Sequence, residues 1–165
     1  MTLDLLKRIG LLIVFVVAQA LVLGHIHLFN CATPLLYVYF ALLLPRNNPR
    51  WASLLLCFLL GIAIDIFTNT PGLAAASMTF IGFLQPYVLT LYLDKEDAED
   101  FSPSISTMGW MKYISYAFML VFLFCIVFFS LEAFNFFNWM EWLLCIGGSF
   151  LVTIILILVL DSVRK

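Results

Sequence analysis

Asp65 is the residue with the strongest claim to chemistry. It stands in Gly61-Ile62-Ala63-Ile64-Asp65-Ile66-Phe67, an apolar run followed at once by Asn69, Thr70, Pro71 and Gly72. A carboxylate at the centre of a bilayer costs a few kcal/mol, and less near an interface. An Asp near a helix C-terminus also opposes the helix macrodipole. Such a group either faces water at the outer surface or accepts hydrogen bonds inside the protein. In the second case it bonds into the outer turn or accepts the N–H groups at the start of the next helix, locking a tight helical hairpin, and that structural lock is expected ahead of a catalytic role. A catalytic part would need a basic partner, and the orientation deduced below puts none on this side.

Other chemistry-bearing residues are less specific. His25 and His27 share one side of an extended segment but not of a helix, and no third ligand lies near, so no metal site is expected. The 4 cysteines, Cys31, Cys57, Cys125 and Cys145, lie in or beside apolar segments without a C-x-x-C pair and read as small buried hydrophobes. Glu132 and Glu141 lack supporting acid–base residues. Gln85 and Pro86 lie deep in an apolar stretch. There the proline frees a carbonyl one turn back, and Gln85 serves as interhelical glue or as a pocket lining. Asp94, Lys95, Glu96, Asp97, Ala98, Glu99 and Asp100 form an acidic loop. It is either a solvated linker or a docking site for a basic partner. No nucleophile–base pair, phosphate loop or zinc signature appears, so neither an enzyme nor a cofactor is expected.

The elements that must position these residues follow from composition. The chain is 64% hydrophobic and 11% charged, against about 45–50% and about 25% in soluble domains. That excess of apolar surface needs lipid as its solvent. At roughly 20 residues per crossing, 165 residues hold about six spans in a single transmembrane domain. The expected spans are about 9–28, 31–44, 50–67, 71–93, 111–131 and 138–160. Thr33 with Pro34, Asn48 with Pro49, Thr70 and Asn138 are expected helix starts. Pro86 predicts a kink in the fourth span. The second span is short for a hydrocarbon core of about 30 Å, so it either borrows residues from Leu28 onward or lies inside the bundle. Ala18-Gln19-Ala20 imitates a signal-peptidase site, but the apolar run continues past it, and a retained first helix is expected. Ser102–Met111 is expected along the inner surface.

Orientation follows from the cations. The 8 basic residues are Lys7, Arg8, Arg46, Arg50, Lys95, Lys112, Arg164 and Lys165. Six alternating spans place every one on the same side, which the positive-inside rule assigns to the cytoplasm, with both termini there. Five or seven spans would scatter them. Trp51, Trp110, Trp139 and Trp142 fall near span ends, where interfacial aromatics belong. The net charge of −2 and the absence of a basic patch exclude nucleic acid as a partner. Gly61, Gly72 to Ser77, and Gly147-Gly148-Ser149 offer small surfaces for helix packing or for docking another membrane protein.

Leu59 to Phe67, carrying Gly61 and Asp65, followed by Pro71-Gly72-Leu73-Ala74-Ala75, resembles the hairpin between spans three and four of the rod shape-determining protein MreD family. Pro34-Leu35-Leu36 with Tyr39 resembles that family's proline at the start of span two, though Leu35 stands where many members carry an acid. The resemblance extends over the whole chain in size and span pattern. It implies a non-enzymatic part of the peptidoglycan elongation machinery in a bacterial inner membrane. The implied partners are MreC, MreB filaments, the glycosyltransferase RodA and a class-B penicillin-binding transpeptidase. It also implies a fold similar to the substrate-binding S-components of energy-coupling-factor transporters. The alternative function is therefore S-component-like binding of a vitamin, for which the outer loops offer only His25, His27, Asn30, Asn69 and Glu132.

Overall fold

A computed structural model describes residues 2–21, 34–45, 48–70, 72–93, 103–132 and 139–163. Seven helices run through them: α1 Thr2–Leu21, α2 Val38–Leu42, α3 Arg50–Thr68, α4 Leu73–Tyr92, α5 Ile105–Met108, α6 Trp110–Glu132 and α7 Trp139–Val163. No strand occurs among the described residues. Four segments are long and apolar enough to cross a membrane: α3, α4, α6 and Trp142–Val163 of α7. In α1 the apolar stretch is shorter, Ile9–Gln19.

The side-chain distribution is that of a protein dissolved in lipid. Ile66, Leu91, Leu151 and Val163 are exposed, which a hydrocarbon solvent tolerates and water does not. Trp51 and Trp110 are exposed near helix starts. The largest helix contact is the α3–α4 hairpin, with α6 against α4, α7 against α6 and α1 against α3.

At the centre lies the segment expected as the second span. It is helical only over the 5 residues of α2, about 7–8 Å of rise, far short of a crossing. Pro34 does not open this helix; the N-cap is Tyr37. Side chains of other helices meet the backbone donors that precede it. The Leu35 N–H goes to Thr153 Oγ1 at 3.1 Å and the Leu36 N–H to Gln19 Oε1 at 3.2 Å. The chain then tightens through Val38 N–H to Leu35 C=O and Tyr39 N–H to Leu36 C=O. Pro34 to Leu42 and Leu44 are buried, with Tyr37 edge-on to Phe124 and Phe15 edge-on to Tyr39.

Three other expected helix starts are corrected or fall elsewhere. Asn48 does not cap α3; Pro49 holds that position with no side-chain cap. Thr70 does not cap α4; Gly72 does, at φ 83. Asn138, with Thr33, lies outside the described residues. Of Ser102–Met111, residues 103–111 are described: Ser104 and Thr107 form a reciprocal capping box, and Ile105 and Met108 are buried, with α5 packed on α6. The glycines divide. A Cβ on Gly61 would stand 2.7 Å from Ala75 N, and one on Gly82 would stand 2.8 Å from Cys57 Sγ, so both serve the α3–α4 crossing. Gly147 faces open space.

Candidate functional site

The α3–α4 turn is built around Asp65. Asn69 ends α3 in the left-handed region at φ 57, and its N–H bonds Asp65 C=O. The Thr70 N–H bonds the same carbonyl at 3.2 Å. Gly72 takes a second left-handed turn at φ 83, which an L side chain would strain. The chain thereby brings the start of α4 back over the last turn of α3. Gly61, one turn before Asp65, allows the two backbones to touch.

Asp65, 7% exposed, fills the gap so formed. Its Oδ1 accepts the Ala74 N–H at 2.8 Å and the Thr70 hydroxyl at 3.0 Å; its Oδ2 accepts the Ala75 N–H at 2.9 Å. The carboxylate thus receives donors that have no partner inside α4, at the positive end of its dipole. The macrodipole of its own helix opposes it, and that of the next helix favours it. Asp65, Asn69 and Gly72 also line an open depression with Ile62 and Ile66. Pro71 lies outside the described residues. The arrangement accepts hydrogen bonds; among the described residues no cation bonds this carboxylate, and its one side-chain donor is the Thr70 hydroxyl.

Further polar tethers hold the central segment. Gln19 donates from Nε2 to Pro34 C=O at 2.9 Å while its Oε1 accepts from Leu36. At the other end Gln85 donates to Leu44 C=O at 3.1 Å and to Tyr116 Oη at 3.1 Å. Irregular backbone at membrane depth requires such satisfaction. Pro34 and Gln85 therefore belong to one construction, tied to opposite ends of the same buried segment. Pro86 lies inside α4 beside a cleft that Gln85 also lines.

Asp161 was not singled out by sequence. It is 4% exposed. Its Oδ1 accepts the Tyr39 hydroxyl at 2.8 Å and its Oδ2 accepts the Ile105 N–H at 2.9 Å. It repeats the Asp65 device, a carboxylate late in one helix receiving the first N–H of another. Its only sequence signal is an acid following the apolar run Ile154 to Leu160.

The acidic residues Asp94, Glu96, Asp97, Glu99 and Asp100, with His25, His27 and Cys31, lie outside the described residues. Cys57 and Cys125 are buried free thiols, and Cys145 is half-buried. Among the described residues no cluster of His, Cys, Asp or Glu could hold a metal ion. No protein-family model, curated protein or solved structure matches this chain.

Proposed function

We propose that this chain is a non-enzymatic scaffold or regulator of the peptidoglycan elongation complex, embedded in a bacterial inner membrane and acting with MreC. RodA, a class-B penicillin-binding transpeptidase and MreB are the further partners of this reading. Six spans with both termini cytoplasmic complete it. The observation that carries the proposal is the hairpin. Of the residues that resemble the MreD family, Gly61, Asp65, Ala74 and Ala75 meet at the α3–α4 turn, and Gly72 supplies its left-handed bend. A motif whose members touch is better support than the same letters scattered over a fold.

Affinity purification from bacterial membranes, with mass spectrometry of proteins and small molecules, tests it. Co-purified MreC, together with rounding of cells on depletion, is the expected outcome. Unchanged cell shape and no MreC would overturn it, and a stoichiometric vitamin would put the S-component reading in its place.

A further inference from the structure

A cleft of about 340 Å³ opens between α3 and α4 at the end where α3 begins. Arg50, Ser53, Gln85 and Tyr87 supply its polar wall, and Leu54 and Phe83 its apolar one. Phe83 and Tyr87 are exposed on the outer flank of α4, so the cleft opens sideways toward lipid.

Three polar groups there lack full partners. The Arg50 guanidinium lies 5.5 Å from the Tyr87 ring centroid, with one long hydrogen bond of 3.4 Å to the Tyr87 hydroxyl. It meets no carboxylate among the described residues. Gln85 is 3% exposed, and its amide orientation is fixed, because the Leu44 carbonyl can only accept and so must face Nε2. Gln85 lines the cleft, and its Oε1 accepts no hydrogen bond. The Ser53 hydroxyl, in a residue 8% exposed, is equally unengaged. The Gln85 Oε1 and the Ser53 hydroxyl thus keep hydrogen-bonding capacity at the cleft that a ligand can engage.

The three groups specify the ligand. Arginine at a membrane-facing mouth suits a phosphate, which its planar fork can hold through two bonds. Gln85 Oε1 needs a donor a few ångströms deeper. Leu54 and Phe83 offer a path for an acyl chain. Basic pockets between membrane helices bind anionic headgroups on this logic. We propose that the α3–α4 cleft binds an anionic phospholipid whose phosphate carries a hydroxylated substituent, of the phosphatidylglycerol type. Arg50 meets the phosphate, and Gln85 and Ser53 take the headgroup hydroxyls. This proposal requires only that the chain lie in a membrane, and it stands or falls apart from the cell-wall reading.

Native mass spectrometry of the full chain, released from nanodiscs of equal phosphatidylglycerol and phosphatidylcholine, tests it. Retained phosphatidylglycerol should exceed phosphatidylcholine by about tenfold, a difference of about 1.4 kcal/mol. Arg50→Gln, or Ser53→Leu filling the cleft, should bring the ratio near unity. Lys112→Gln removes an exposed cation outside the cleft and should leave the ratio unchanged. Phosphatidic acid, which has the phosphate without the hydroxyls, should be retained less than phosphatidylglycerol. Equal retention of the two nanodisc lipids, an undiminished ratio in both cleft variants, or equal binding of phosphatidic acid would overturn the proposal. So would displacement of the lipid by glycerol phosphate, which would make the site one for soluble phosphate.

Discussion

Gly61 and Ala75 meet backbone to backbone across the α3–α4 crossing, with no space for a side chain on the glycine. Four residues after Gly61, Asp65 reaches the N–H of the same Ala75. Contact and hydrogen bond fix one end of the hairpin together, and each depends on the other for its geometry.

Gly61→Ala forces its Cβ against the Ala75 N and the Ala74 O. Backbone cannot yield as a flexible side chain can, so the hairpin must splay. The expected loss is about 1–3 kcal/mol, the range of overpacked cores. Gly147→Ala, in open space, is the control and should be neutral. Denaturant unfolding in micelles, followed by circular dichroism, reads both.

Asp65→Asn retains one acceptor oxygen and presents an NH₂ group where the second stood. One of the two α4 N–H groups, at Ala74 or Ala75, then goes unpaired, at about 1–3 kcal/mol. Asp65→Leu strands both and should destabilise by about twice as much. Equal stability of the two variants would show that hydrogen bonding is not what Asp65 contributes.

Gln19→Leu strands the Pro34 carbonyl and the Leu36 N–H, and Thr153→Val strands the Leu35 N–H. Each variant should raise amide exchange at Leu35 and Leu36 by about fivefold to about 150-fold, as about 1–3 kcal/mol per stranded group requires. Hydrogen-exchange mass spectrometry on peptides spanning residues 34–44 is the measurement. The cores of α3 and α6 should remain protected.

Tyr39→Phe removes one donor from Asp161 and should cost about 0.5–1.5 kcal/mol. Asp161→Ala orphans the Ile105 N–H as well and should cost more. The double variant should cost less than the sum of the two, because both act through one carboxylate.

Hydropathy carried the helical, membrane-embedded character of this chain, and Asp65 stood out because a carboxylate in an apolar run has few places to go. The helix starts were less legible. Asn48 and Thr70 have the right side chains for caps, but a cap depends on where the side chain points, and at α4 the N–H groups go to Asp65 across the turn instead. The tethering of the second segment was not legible, because Gln19 and Thr153 take the Leu36 and Leu35 N–H groups from 17 and 118 residues away. Asp161 escaped notice for a related reason: an acid after an apolar run looks like an ordinary flank until its partners, Tyr39 and Ile105, are in place.

The central segment has a consequence for how the protein is made. Its holders stand on both sides of it in sequence: Gln19 precedes it, while Thr153 follows Leu35 by 118 residues and Asp161 follows Tyr39 by 122. The bonds from Thr153 and Asp161 can form only once α7 has been made. Truncation before Thr153 therefore removes more than part of α7, because it leaves the middle of the molecule without its clasp.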